Sequence, residues 1–583
     1  MGCAIRGRGD REFWPPRRLA DSVAFRMPNA DSIPPPSMPP VAHSAEVVSR
    51  GRTIDPDLWV AVFAWLVVIF CCIQVLLFSY GRDQSIYAVV ADGIVHGQMP
   101  YRDLWDFKTP GIFLVFALAQ LVFGKTMLAI RLVEVAGLLA VAFSFRAMAE
   151  ILLERRRVGD VAAAVAAFSH ANLEFWHTAQ PEAFGGFLIV FALLITVGDY
   201  PRWRRFVQWT AMGLLFGAAF VMKPTLGGGA LVCAVYLARR EYVRTGRYRD
   251  AVMPPIIAGL ASLLPILMVL LWFKAAGAWP AFAWTFFEFT PGYTALYSYF
   301  TATEAFYYAL HELFFRFAPL TAIGVLAAIA IRPMHQRERE GMLLLLGVCA
   351  INVAGIAMQN KFFQYHYSST LPLVCFISGV GYYKLWRRLF IIGPGGVVAY
   401  VSLLVVLASM RSIVWDLGDG FWERSRLRMG YLLRGATSHA RLELDRKLYK
   451  VADYDLGANR DAALEVENRV PEGQSIFVWG FEPGIYWMSG RPPASRFIYN
   501  VPQRAKWERE RARDMLMSDL THNMPAMILV QHGDRFQKVT GNSLDSAQAL
   551  YTFPQLETFM DRNYSPAGEV AGKFDLYRRS HNK

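Results

Sequence analysis

The chain has 583 residues and a formal charge of +13, with 54% hydrophobic, 14% aromatic and only 18% charged residues. A soluble protein of this length carries about a quarter charged residues on polar-surfaced domains, whereas here apolar stretches recur from about residue 58 to residue 409, a polytopic membrane composition. The positive charge sits in short clusters between apolar runs, the pattern of topology-setting loops and not of a nucleic-acid face, and the six cysteines have neither metal-ligand nor disulfide-framework spacing.

Residues 1–57 are rich in Pro and Arg and have no apolar core, so they read as a disordered cytoplasmic tail. Their basic stretch is too long for a cleavable signal, and "MGCAIR" lacks the Ser or Thr that lipidation at Gly2 favours. About eleven membrane helices are then expected, at 58–79, 127–150, 159–176, 182–198, 207–222, 225–238, 252–273, 315–331, 341–358, 368–383 and 387–409. Basic clusters follow every second span, at Arg155 to Arg157, Arg202 to Arg205, Arg239 to Arg249, Arg332 to Arg339 and Lys384 to Arg388. The positive-inside rule makes those loops cytoplasmic and places 80–126, 177–181, 223–224, 274–314, 359–367 and everything after 410 outside. "GIFLVFALAQLVFG", 111–124, is too short to cross and reads as an interfacial segment.

The first outer loop begins "GRDQSIYAVVADGIVHGQMPYRDLWDFKTPG", 81–111, dense in charge at the membrane boundary. Asp83 has two readings: an N-cap for a helix starting at Gln84, or a carboxylate held at the boundary for chemistry. Arg82, Arg102 and Lys108 suit an anion there, and the anion most available is a lipid phosphate or diphosphate. Lys108 stands before Pro110, where the amides of the interfacial helix add positive field.

Other outer segments repeat the theme. "MKPTLGGG" supplies Lys223, either a snorkelling lysine or a phosphate contact, and "QNKFFQYHYSSTLP" supplies Lys361 and His366, the histidine either satisfied among aromatic rings or in the site. Glu182 opens the fourth span as a dipole-favoured first-turn residue or as a second carboxylate near Asp83. The aromatic loop 274–314 marks an interface, a lipid-chain groove or a sugar-stacking wall. A base at Asp83, cations for phosphate and aromatics for lipid and sugar are together what transfer from a polyprenyl-phosphate-linked sugar requires.

The 81–111 segment, followed by "FGKTMLAIRL", resembles the first outer loop of GT-C fold glycosyltransferases, in the protein O-mannosyltransferase and aminoarabinose transferase superfamily. The resemblance implies an inverting, metal-independent membrane enzyme, without a cofactor, that uses a polyprenyl-phosphate donor on the outer face. The family's Asp-Glu with a Tyr three residues later stands here as Asp83, Gln84 and Tyr87, so the second acid is missing. The family's Lys-x-Pro element is matched by Lys108, Thr109 and Pro110, the lysine facing donor phosphate. On this reading Asp83 is catalytic, Lys108, Arg82, Arg102, Lys223, Lys361 and His366 are phosphate contacts, and Tyr87, Asp106 and Glu182 are further contacts to donor or acceptor.

After residue 410 the apolar runs shorten. "QSIFVWG" (474–480), "SRFIYN" (495–500) and "AMILVQHG" (526–533) read as strands and 503–520 as a helix, giving a small parallel α/β layer. No GxGxxG or P-loop occurs there, so nucleotide binding has no support. The expected organisation is a tail (1–57), a transmembrane GT-C catalytic domain (58–410) with outer loop 80–126, and an extracytoplasmic α/β domain (411–583), in a bacterial plasma membrane. The expected partners are the lipid-linked donor and a glycan, lipid or protein acceptor. A lipid or polysaccharide transporter is the alternative, but transporters place ionisable groups at mid-membrane and often carry repeats, and here those groups gather at one edge.

Overall fold

The computed structural model of the protein describes residues 55–296, 300–332, 335–409, 419–451 and 453–580. The tail expected at 1–57 lies outside the described residues up to 54. Helix α1 (Pro56–Leu76) starts as its sequence dictates: the Asp55 carboxylate accepts from the Asp57 amide at 3.0 Å and proline takes the first turn. The expected outer loop 80–126 is itself largely helical, with α2 (Arg82–Val95) and α3 (Pro110–Phe123).

The remaining apolar helices are α4 (Met127–Leu153), α5 (Arg156–Asn172), α6 (Pro181–Val197), α7 (Arg202–Met222), α8 (Gly229–Thr245), α9 (Tyr248–Ala275), α10 (Ala302–Ala330), α11 (Gln336–Ala357), α12 (Leu371–Ile391) and α13 (Pro394–Ser409). A helix stands at each of the eleven expected span positions, and among the described residues six helices are long and apolar enough to cross a membrane: α1, α4, α7, α9, α10 and α11. Their apolar side chains face outward as well as inward. Leu260, Met268 and Leu271 of α9 are 66%, 63% and 63% exposed, an arrangement that water would penalise and lipid favours. This is a multi-pass membrane protein. Small residues let the helices approach: a Cβ on Gly213 of α7 would meet the Ala258 carbonyl oxygen of α9 at 2.2 Å.

Ion pairs sort the bundle into two ends. Arg157 pairs with Asp55, Arg387 with Asp57, Lys384 with Glu338, Arg239 with Glu340, Arg205 with Glu241, and Arg240 and Arg244 with Asp199. All of them lie among the starts of α1, α5, α7 and α11 and the ends of α6, α8 and α12, where the basic clusters of the sequence fall. The other end carries α2, α3 and the acidic and aromatic loops.

The C-terminal region packs in the same compact unit as the bundle. Helices α14 (Phe421–Leu433), α15 (Ser438–Leu448) and α16 (Leu456–Arg469) lead into a four-stranded sheet, β1 (Ile476–Trp479), β2 (Met527–Gln531), β3 (Tyr564–Val570) and β4 (Phe574–Arg579), ordered β1-β2-β4-β3. Only β1 and β2 run parallel; β4 pairs antiparallel with both neighbours. The sheet is therefore mixed, not the parallel layer expected. Segment 495–500 is no strand of it, because its backbone is used elsewhere: the Trp105 amide donates to the Arg496 carbonyl at 2.7 Å, tying the loop between α2 and α3 to the C-terminal region. The helix expected at 503–520 is a short turn, Val501–Arg504, and then a helix, Arg509–His522.

Candidate active site

Asp83 lies in the first turn of α2 and does not cap it. Gly81 is the N-cap, and the side chain of Gln84 accepts from the Gly81 amide at 3.0 Å. Gln84 also donates to the Thr178 carbonyl at 2.6 Å. A carboxylate has no such donor, so the amide that stands where the resemblance expected a second acid is a fastener between α2 and the 173–180 loop. Asp83 is left with its carboxylate directed at its neighbours: Gln180 Nε2 donates to Oδ2 at 3.2 Å, and Lys108 Nζ stands 3.6 Å from the same oxygen.

Lys108 is delivered by the start of α3. Pro110 opens that helix, the Thr109 hydroxyl bonds the Met222 carbonyl at the end of α7, and a Cβ on Gly111 would meet the Val221 carbonyl oxygen at 2.7 Å. Glycine thus lets α3 seat against α7. The Tyr101 hydroxyl fixes the Lys108 carbonyl at 2.7 Å. The ammonium lies 3.5 Å from the Tyr365 hydroxyl and over the Tyr365 ring, 5.0 Å from its centroid. Burial works against that charge, but Tyr365, Tyr87, Asp83 and Glu182 outweigh it and hold Lys108 well above the usual lysine value. With side chains 26% and 19% exposed, Asp83 and Lys108 remain reachable.

Gln180 joins two halves of the site. Its carbonyl oxygen accepts from the Tyr87 hydroxyl at 2.8 Å while its amide holds Asp83. The preceding loop contains two left-handed non-glycine residues, Glu174 (φ 60) and Ala179 (φ 53), a strain that persists only where the surroundings impose it. They do: the Ala179 amide donates to Glu134 at 2.6 Å, Arg131 donates to the Thr178 hydroxyl at 3.0 Å, and Glu174 pairs with Arg424 and Arg428 of α14.

Beside this group stand Glu182, Lys223 and His366. Lys223 pairs with Glu182, and His366 Nε2 is 3.7 Å from the same carboxylate. Burial, with the charges of Lys223 and Lys108, pushes His366 well below its usual value, so it stands neutral. His177 is also buried, which lowers it to about 3, and its ring lies 5.9 Å from that of Tyr365. Asp106 is buried against the C-terminal region: Tyr499 donates to it at 2.5 Å and the Lys108 amide at 3.2 Å. Burial raises it to about 6, with Asp83 adding to the rise and Tyr499 and Lys108 opposing it.

Three expected phosphate contacts lie outside this group. Arg82 points away from Asp83, into the C-terminal region, where it donates to the Phe481 carbonyl at 2.9 Å and pairs with Glu482 at 2.7 Å and Asp453 at 3.3 Å. Arg102 is paired with Asp103 at 2.7 Å and bonds the Ala276 carbonyl at 2.8 Å. Lys361 bonds the Leu296 carbonyl and lies over the Tyr293 ring; burial brings it down to about 8. Sequence reasoning missed Gln180, Tyr365 and Tyr499. Tyr365 stood beside His366 in a segment already singled out, whereas nothing local to "SRFIYN" marks Tyr499. Among the described residues no group of three His, Cys, Asp or Glu stands placed to hold a metal ion.

Among solved structures the chain is similar to ArnT from Cupriavidus metallidurans bound to undecaprenyl phosphate, at 14% identity and a TM-score of 0.52, over 90% of this chain and 98% of that one. The same ArnT in its apo state matches at 13% identity and 0.52, over 89% of this chain and 97% of that one. No protein-family model and no curated protein matches the sequence. The likeness establishes a shared fold, and the chain has the GT-C fold of ArnT.

Proposed function

We propose that the protein is an inverting glycosyltransferase that moves a sugar from a polyprenyl-phosphate donor to a glycan, lipid or protein acceptor at the outer face of a bacterial plasma membrane. The observation that carries this reading is the pairing of an accessible carboxylate with an accessible ammonium, Asp83 with Lys108, at the end of the bundle opposite the basic clusters. Asp83 takes the proton of an acceptor hydroxyl, whose oxygen attacks the anomeric carbon as the bond to the phosphate oxygen breaks. The polyprenyl phosphate departs with the electron pair, and Lys108, with the Tyr365 hydroxyl beside it, meets the charge that develops. Lys223 and neutral His366, gathered on Glu182, form a second polar wall, and the C-terminal region, as an extracytoplasmic domain, closes the site through Tyr499. The shared fold with a protein solved with bound undecaprenyl phosphate supports the donor class.

The test is sugar transfer by the purified chain in bilayers, given a panel of radiolabelled polyprenyl-phosphate sugars and a membrane extract as acceptor source, with Asp83→Asn in parallel. Transfer that is lost in the variant is the expected result. A folded protein that transfers from no donor, or a variant as active as its parent, would overturn the reading.

A further inference from the structure

A cavity of 1160 Å³, separate from the Asp83–Lys108 group, lies where the ends of α1 and α4 meet the C-terminal region. Its floor is apolar, made by Leu76 and Phe78 after α1 and by Met127 and Leu128 at the start of α4. Leu128 is 47% exposed, and Leu121 and Val122 on neighbouring α3 are 67% and 61% exposed, so the floor runs into the apolar outer surface of the bundle. Leu432 of α14 forms a side wall.

The polar lining carries surplus positive charge on its inner side. Arg441 and Arg460 both pair with Asp445, at 3.2 and 2.7 Å, so two guanidinium groups share one fully buried carboxylate. Arg491 donates to carbonyl oxygens, of Val470 at 2.9 Å, Ser489 at 3.0 Å and Glu467 at 3.4 Å, and pairs with no carboxylate among the described residues. Arg460 Nε and Trp487 Nε1 are buried donors with no acceptor among the described residues, an arrangement that is costly unless a ligand or water completes it. Lys125 adds nothing to the surplus because Asp92 holds it at 2.8 Å, and the carboxylates of Glu467 and Glu472 belong to exposed residues of the rim. A smaller cavity of 320 Å³ shares Lys125, Trp487 and Arg491 and leads toward the end of α2 at Asp92 and His96.

An occupant must therefore combine an apolar body with an acceptor-rich anion and leave room for a polar extension. We propose that this cavity binds a phospholipid of the adjoining leaflet, its phosphate on Arg460 and Arg491, its chains along Leu76, Met127 and Leu128, and its headgroup toward the smaller cavity. Arginine suits phosphate through its forked donors, and apolar helix ends supply the chain contact.

The experiment is native mass spectrometry of the full chain in mild detergent, delipidated and then offered equal amounts of phosphatidylethanolamine, phosphatidylglycerol and phosphatidylcholine. Two variants are run alongside: Arg491→Gln removes a cation, and Leu432→Trp narrows the cavity at its apolar side wall without touching an ion pair. Thermal unfolding in lipid-free detergent checks that each is folded. The expected result is one phospholipid retained per wild-type chain and an occupancy lower by about tenfold in each folded variant, from the loss of one charge-assisted contact in Arg491→Gln and from the space taken from the lipid in Leu432→Trp. Equal retention by wild type and Leu432→Trp, or no retention by wild type, overturns the proposal. Displacement of the lipid by millimolar inorganic phosphate as readily as by competing lipid would make the ligand a free anion and overturn the lipid assignment.

Discussion

The ammonium of Lys108 stands 3.6 Å from the carboxylate of Asp83, although the one lies just before α3 and the other in the first turn of α2. Packing of α2 against α3 brings the N-terminal ends of the two helices together, and Gln180 and Tyr365 complete the ring around the pair. If Asp83 takes the acceptor proton, Asp83→Asn, which keeps shape and hydrogen bonding to Gln180 but removes the base, lowers kcat by about 10²–10⁴-fold. Donor affinity should change far less, and single-turnover transfer beside equilibrium donor binding separates the two.

Lys108→Ala should show the opposite split. Removing a cation from a leaving phosphate weakens its binding as well as the transition state. The expected change is a rise of about 10²-fold in the dissociation constant for polyprenyl phosphate, read by competition in detergent. An affinity equal to wild type would take Lys108 out of the phosphate site.

Gln180 touches Asp83 and Tyr87 but makes neither charge nor nucleophile, so its role is positioning. Gln180→Leu removes both bonds at similar volume and leaves the Tyr87 hydroxyl buried without its acceptor. A drop of about 10–100-fold in kcat is expected with unchanged donor affinity. Gln180→Glu restores the acceptor for Tyr87 but sets a second carboxylate against Asp83, so its activity should recover at the acid end of the pH profile relative to Gln180→Leu.

Much of this was legible in the sequence because a membrane imposes coarse rules. Eleven apolar stretches gave eleven helix positions, and the basic clusters marked the end of the bundle away from the site. The sequence singled out Asp83, Lys108, Glu182, Lys223 and His366 because a charge at a helix boundary is conspicuous, and the structure brings the five together. What stayed hidden depends on contacts between distant segments. Arg82 and Asp83 are neighbours in sequence, yet successive helical side chains diverge by about 100°, and the arginine turns to Glu482 while the aspartate turns to Lys108. Segment 495–500 has the composition of a strand, but Trp105 takes its backbone bond.

The Arg82 cluster predicts a structural defect and not a donor-binding one. Its side chain is almost fully buried against Glu482, which also accepts from Asn459 at 2.6 Å, and lies 4.4 Å from the Phe536 ring centroid. Arg82→Met leaves Glu482 charged in the interior without its main partner, at a cost of about 3–5 kcal/mol. Thermal unfolding of the purified variant should fall accordingly, while the fraction that remains folded keeps wild-type affinity for polyprenyl phosphate.

Asp106 gives a pH dependence whose sign follows from burial. Its carboxyl is raised from 3.8 to about 6, burial being the largest cause and the nearby Asp83 a further one. An acid raised in the folded state binds more protons folded than unfolded between those two values, so stability is greatest below about 4 for this group and declines as pH rises through about 6. The displacement corresponds to roughly 3 kcal/mol once both states are ionised. Asp106→Asn cannot ionise and keeps one side-chain oxygen to accept from Tyr499 or from the Lys108 amide, so its cost in stability is a constant offset that does not vary with pH. In thermal unfolding between pH 4 and pH 7 the wild type should lose stability relative to this variant as pH rises, and the difference should level off above about pH 7. Parallel curves for the two proteins would mean that Asp106 is ionised throughout and that Tyr499 and Lys108 neutralise the effect of its burial.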